Sequence, residues 1–256
     1  MIEDFAARLD EAATTRKPCA QLSTDHELSL DDAYAVQREL VERRIARGER
    51  RFGVKLGFTS KAKAAQMGVD DVIIGRLTSG MVLADGDELD LNTLIHPRAE
   101  PEVAFRLSRD VEPGEVPGPD LVDAVAPAIE VIDSRYRDFK FSLADVVADN
   151  TSAAAFVLGH WQPLKAGVDN RGVVFEVDGR IAGAGSTAAI LGDPLRAIPA
   201  AVRMAQRYGL PLTAGTVLLA GAATPAVALT AGTHVSATVS GLGRARFSVA
   251  EQGEPR

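Results

Sequence analysis

HPRAEPEVAF, residues 96–105, decides how this chain is read. A polar turn, His96-Pro97-Arg98, leads to Glu100 and Glu102 two residues apart, and an apolar run, Val103-Ala104-Phe105, follows. Side chains at i and i+2 of a β-strand share a face, so a strand here projects two carboxylates from one side of a segment that otherwise reads as core. Adjacent carboxylates repel, and burying them unpaired is costly. On the pair alone two readings stay open. One is an edge strand with both glutamates in water. The other is a divalent-cation site, for which oxygen-only ligation favours Mg²⁺ or Mn²⁺. Glu130 adds weight to the second. It stands between Ala128-Ile129 and Val131-Ile132, and a glutamate inside an apolar strand rarely lacks a partner.

Upstream, RFGVKLGFTS at 51–60 alternates Val54, Leu56 and Phe58 with Lys55 and Gly57, which predicts a short strand. Gly53 and Gly57 flank Lys55 and leave room for close approach. The pattern alone favours an outward lysine; in a carboxylate-lined cleft the same residue would bind a carboxylate or stabilise an oxyanion. Gly57 and Lys55 therefore enter the candidate site together. Thr59-Ser60 then predicts a helix over 61–67, stopped by Gly68. Downstream, residues 133–150, DSRYRDFKFSLADVVADN, are polar and aromatic without a period, and read as a loop placed to line a site. Arg135 there suits either a substrate carboxylate, held bidentately, or a neighbouring aspartate. Asn150 suits either a turn cap or a substrate contact.

Elsewhere the signals are structural. Ile2, Phe5, Ala6, Leu9 and Ala13 predict a helix over 1–15. Ser29 caps a second helix that ends in Arg43, Arg44 and Arg47 before Gly48, where cations suit the helix dipole. Ala84-Asp85-Gly86-Asp87 reads as a turn. Leu121–Ala126 reads as a short helix before the Glu130 strand. Residues 172–182 read as a hairpin around Asp178-Gly179, and Asp193-Pro194 opens a helix closed by Gly209. Short strands follow at 216–219, 226–229, 234–239 and 244–249, with a disordered tail expected past Glu251.

The totals exclude several classes. The chain has 256 residues, 46% of them apolar and 25% charged, with a formal net charge of -7. That balance disfavours a general nucleic-acid or anionic-membrane binder. Cys19 is the one cysteine, which rules out an intrachain disulfide and a thiolate cluster. The acidic start, Ile2-Glu3-Asp4, is unlike a signal peptide, and no run is long and apolar enough to span a bilayer, so a cytoplasmic protein is expected.

These residues resemble a known family. VKLGFTSKAKAAQMGVD (54–70), IHPRAEPEVAF (95–105) and IEVIDSRYRDFKFSLADVVADNTS (129–152) are similar to the 2-keto-4-pentenoate hydratase and 4-oxalocrotonate decarboxylase group of the fumarylacetoacetate hydrolase superfamily. The resemblance runs nearly the whole chain, and DSRYRDFKF and AKAAQMGVD look more like the decarboxylases. It implies an α+β fold, a mixed β-sheet roll or barrel with flanking helices and an N-terminal helical segment. The expected division is a helical segment with the lysine strand over 1–70, a metal-binding roll over 71–250, and a tail over 251–256. It implies Mg²⁺ or Mn²⁺ on Glu100, Glu102 and Glu130, and catalysis or substrate binding by Lys55. The activity implied is decarboxylation of 2-oxohex-3-enedioate to 2-oxopent-4-enoate. The alternatives are hydration of that product, hydrolysis of a related 2-oxo acid, or a non-catalytic partner role. A small 2-oxo acid, a homo-oligomer and a paired hydratase are the expected partners. Three places depart from the family: Ser79-Gly80 where relatives often carry an aspartate, Asp193 where they often carry histidine, and Gly221-Ala222-Ala223 in place of a double glycine.

Overall fold

Period-two alternation and β-branched residues build two sheets, and the amphipathic segments pack on them as helices. The structure is a computed structural model and describes residues 1–24, 26–60, 71–164 and 167–251. In chain order the elements are α1 (Ile2–Thr15), α2 (Leu30–Ala46), β1 (Arg51–Gly57), β2 (Ile73–Thr78), β3 (Val82–Leu83), β4 (Glu88–Leu89), β5 (Arg98–Leu107) and β6 (Val122–Ile132). Then come α3 (Leu143–Ala148), β7 (Ala153–Leu158), β8 (Gln162–Pro163), β9 (Gly172–Val177), β10 (Arg180–Ser186) and α4 (Ala197–Arg207). β11 (Val217–Ala222), β12 (Val227–Ala228), β13 (His234–Val239) and β14 (Gly243–Val249) complete the chain.

The larger sheet runs β2-β1-β11-β5-β6-β7-β3, with β12 added to β5 and β8 to β6. It is mixed: β1 pairs parallel to β11, whereas β1 with β2 and β5 with β6 are antiparallel. It curls until β2, at one end, reaches β7 near the other. The smaller sheet runs β10-β9-β13-β14-β4. Ile129 and Val131 of β6 meet Phe175, Val235 and Phe247 of the smaller sheet in one buried cluster. The helices close a larger core on the remaining face, where Leu9, Val36, Val147 and Ile198 pack with Leu56, Ile74 and Phe105. This is the expected mixed-sheet roll with flanking helices.

Local chemistry explains most boundaries. The Ser29 hydroxyl accepts from the Asp32 amide and starts α2, and Gly48 ends the helical region at φ 101°. Asp178 and Gly179, both at positive φ, turn β9 into β10. Two expectations are corrected. Leu121–Ala126 is not a helix: a single 3-10 turn ends at Leu121 and β6 begins at Val122, because this segment pairs with β5 along its length. Nor is 133–150 all loop. Ser142 and Asp145 form a reciprocal capping box that starts α3. The division expected at residue 70 falls between β1 and β2, which are hydrogen-bonded neighbours, so the lysine strand is part of the roll's own sheet. The helix expected over 61–67 and the tail past Glu251 lie outside the described residues. No helix among the described residues is long and apolar enough to cross a membrane.

Gly53 is where β1 and β11 approach most tightly. A Cβ there would stand 2.1 Å from the Val217 carbonyl oxygen. Gly53→Ala is expected to cost about 1–3 kcal/mol, the usual penalty for overpacking, read as a lowered thermal midpoint. An unchanged midpoint would mean the two strands can part at no cost.

Candidate active site

β5 and β6 place the three glutamates. Glu100 sits directly across from Glu130 in the antiparallel ladder, and Glu102 faces Ala128. Like charges in direct cross-strand register are destabilising by themselves. All three carboxylates are buried, Glu130 completely, and one oxygen from each lies within 4.8 Å of the others. Glu102 Oε2 accepts from the Gly221 amide at 2.8 Å. That amide is available because β11 is irregular between Leu219 and Ala222, with Gly221 at φ 118°. The opposite oxygens, Glu102 Oε1 and Glu130 Oε1, have no hydrogen-bond partner among the described residues.

Burial and the neighbouring carboxylates push Glu102 well above the usual carboxylate range. Burial also lifts Glu130, to about 7, even with a lysine beside it. Three buried carboxylates, with unpartnered oxygens on Glu102 and Glu130 among the described residues, fit a hard divalent cation, which binds through carboxylates and keeps open positions for water or substrate. The residues present therefore suit such an ion.

Lys55 enters from β1. Its Nζ lies 2.9 Å from Glu130 Oε2 and donates to the Thr151 carbonyl at 3.1 Å. Burial opposes the ammonium charge, but Glu130, Glu100 and Glu102 together hold its pKa above the ordinary lysine value. The Thr151 carbonyl is presented by an unusual turn: Asn150, Thr151 and Ser152 all have positive φ, at 50°, 53° and 60°. Such residues are strained and persist only where their surroundings hold them. Gly75, opposite Lys55 on β2, makes the space; a Cβ there would meet Thr151 Oγ1 at 2.2 Å.

Two sequence candidates turn out to hold this frame. Asn150 accepts from the Arg76 amide and donates to the Arg76 carbonyl, both at 2.8 Å, pinning the strained turn to β2. Arg135 takes the aspartate, the second of its two readings. Its Nε pairs with Asp149, its Nη2 donates to the Asp149 carbonyl, and its Nη1 donates to the Asp133 and Ala153 carbonyls at 2.6 and 3.1 Å. A guanidinium so occupied is a framework group, and neither residue lines the cavity beside the glutamates. Gly57 does line it, together with Lys55, Glu100, Ile73, Thr151 and Ser152. Ser79-Gly80 lies elsewhere. A Cβ on Gly80 would fall 2.5–2.8 Å from the Glu49 carboxylate, which is paired with Arg44.

This inner cavity, about 80 Å³, shares Phe58, Glu100, Ile132, Phe139 and Phe141 with an outer one of about 560 Å³. Arg98 and Lys140 line the outer part, and the Arg98 guanidinium stands 4.6 Å from the centre of the Phe139 ring. Sequence reasoning missed Arg98, Lys140, Thr151 and Ser152 individually. Arg98 was legible as the residue two before Glu100, hence on its face of the strand. The others required the turn geometry.

Known proteins are similar to this chain along nearly its whole length. The model of the fumarylacetoacetate (FAA) hydrolase C-terminal family matches residues 51–250. Over 249 residues the chain is 51% identical to a 4-oxalocrotonate decarboxylase of a Pseudomonas species, covering 96% of this chain and 97% of that one. It is also 38% identical, over 258 residues and 98% of both chains, to a 2-keto-4-pentenoate hydratase of Paraburkholderia phymatum. Among solved structures it is similar to a 4-oxalocrotonate decarboxylase from Pseudomonas putida complexed with magnesium and adipate, with a TM-score of 0.91, 34% identity and 97% of each chain covered.

Breaking the Arg135–Asp149 pair leaves a buried carboxylate alone. Arg135→Met is expected to lose about 3–5 kcal/mol of stability, measured by denaturant unfolding. A normally stable variant with only a weakened substrate affinity would instead return Arg135 to the substrate contacts.

Proposed function

The chain belongs to the fumarylacetoacetate hydrolase family, and from that premise we propose that it is a lyase that removes CO2 from 2-oxohex-3-enedioate, giving 2-oxopent-4-enoate. The observation that carries this reading is the wall of the cavity. Besides Glu100 and Lys55, the inner lining includes Leu56, Phe58, Ile73, Ile132, Phe139, Phe141 and Val146, with Thr59, Thr151 and Ser152. An apolar wall strips water from a carboxylate and favours its departure as neutral CO2. Apart from Lys55, the cations among the described lining residues stand at the outer end, where Arg98 and Lys140 would attract the second carboxylate of a dioate as it enters.

Glu100, Glu102 and Glu130 would hold the cation, Mg²⁺ in this proposal with Mn²⁺ as its substitute. When bound, it supplies Lewis-acid charge against negative charge developing on the keto oxygen. The chain does the rest. The C5–C6 bond breaks, and its electron pair moves through the conjugated carbons to the C2 oxygen. Lys55 adds a second positive charge beside that oxygen and carries a proton for C3. Phe58, Phe139 and Phe141 keep water from the carboxylate that leaves. Arg98 and Lys140 draw the dioate in by its C6 carboxylate, which then passes to the apolar wall, and the Thr151 and Ser152 hydroxyls would contact the near end.

Hydration of the five-carbon product is the second reading, favoured by the 38% identity to a hydratase. It needs a positioned water and a base to activate it, and among the described residues lining the inner cavity Glu100 and Lys55 are the ionisable ones. Assembly into a homo-oligomer, and docking on a hydratase that consumes the product, belong to the same proposal.

Three outcomes follow. Purified protein with Mg²⁺ is expected to release CO2 from the six-carbon dioate and to stop with a chelator; consumption of the five-carbon acid alone, without CO2, would make it a hydratase. Mg²⁺ at a hundredfold excess over its Kd is expected to stabilise the wild type by about 2.7 kcal/mol and to leave Glu102→Gln unmoved in the same melting experiment. Arg98→Leu is expected to raise KM for the dioate about tenfold, a loss of ~1.4 kcal/mol, without changing binding of the five-carbon acid. Equal effects on the two would remove Arg98 from the recognition of the second carboxylate.

A further inference from the structure

A second cavity lies on the reverse face of the strands that carry Lys55. In the β1–β2 ladder Lys55 stands opposite Gly75, whereas Val54 stands opposite Arg76, so Lys55 and Arg76 project to opposite sides of the sheet. On the Arg76 side is a cavity of about 290 Å³, whose apolar wall is formed by Val41, Val54 and Leu210. That is near the lower limit for small-molecule pockets, ~300 Å³. Its rim is open to water, since Arg51, Pro211, Thr213 and Ala214 line it and are exposed.

Arg76 is the anomaly. It is 7% exposed, yet among the described residues it forms no ion pair. Its Nε has no hydrogen-bond partner, and the one bond from its guanidinium is a 3.5 Å contact from Nη2 to the Tyr208 carbonyl. Glu42 acts on it through space, but the Glu42 carboxylate is already paired with Arg51. Arg38 and Arg51 add like charge, and burial draws the Arg76 pKa down to about 10. A buried guanidinium is costly without an anion, and its planar fork is shaped for one.

We propose that this cavity is a second binding site, taking a small organic anion whose carboxylate or phosphate head pairs with Arg76 and whose apolar body lies against Val41, Val54 and Leu210. The site is separate from the carboxylate cluster and does not depend on which reaction that cluster performs. Its ligand touches β1 and β2 from behind, on the two strands that position Lys55 and clamp Asn150.

The test is calorimetric titration of the Mg²⁺-loaded protein with hexanoate, hexyl phosphate and, as the neutral control, hexanol. At least one anion is expected to bind at millimolar concentration or tighter, at least about tenfold more tightly than hexanol, the factor one charge-assisted bond supplies; the tighter anion names the head group. Arg76→Met is expected to lose that preference and to melt no lower than wild type, because a charge without a partner has been removed. Ala214→Trp, which leaves Arg76 in place and fills the exposed rim, is expected to lose binding, while Arg98→Leu, in the other cavity, keeps it. The proposal is overturned if neither anion binds wild type, or if binding survives Arg76→Met or Ala214→Trp. It is equally overturned if Arg98→Leu abolishes binding, or if Arg76→Met folds but melts well below wild type, because the chain itself would then be satisfying the charge.

Discussion

Three carboxylates held together out of water are the constraint around which this molecule is arranged. Glu100 and Glu130 face one another across a central strand pair, and Glu102 joins them from the next position on the same face. Nothing in the packing of a β-sheet asks for this. The repulsion is met in part by one Lys55 ammonium and one Gly221 amide, and two carboxylate oxygens are still left over. The site is thus built short of positive charge, and a divalent cation restores the balance.

The surrounding frame is stiff where it has to be. The Thr151 carbonyl can receive Lys55 only while three consecutive residues stay in the left-handed region, which chains of L-residues avoid. Asn150 clamps that turn to the backbone of β2, and Arg135 with Asp149 locks the segment just before it. Two residues that looked like substrate contacts therefore serve position instead. The same economy explains Gly75 and Gly53, each placed where a single methyl group would collide with a neighbouring chain.

Much of this was legible in the order of residues. Alternation announced β1 and β9, and the i, i+2 spacing put Glu100 and Glu102 on one face before any partner was known. Caps at Ser29 and Asp193 behaved as their side chains require. The misses have local causes. Leu121–Ala126 carries no strong period, and pairing with β5 made it a strand. The helix α3 was hidden by the aromatic and polar residues before it, although Ser142 and Asp145 carried the capping pattern.

The sequence by itself determined the chemistry available: three glutamates and a lysine set in strand-forming, apolar surroundings, with no thiolate to compete for a metal. That follows from residue type and short-range period, which need no partner to be read. Only the tertiary structure decided which side chains meet. Glu100 faces Glu130 because the connection between Leu107 and Val122 brings β6 back beside β5 in register. Arg135 goes to Asp149, and among the described residues Arg76 has no ion pair, because the curl of one sheet puts them where they are. A guanidinium has the same chemistry in both places, and its partner is set by distance and burial, which no local stretch of sequence contains.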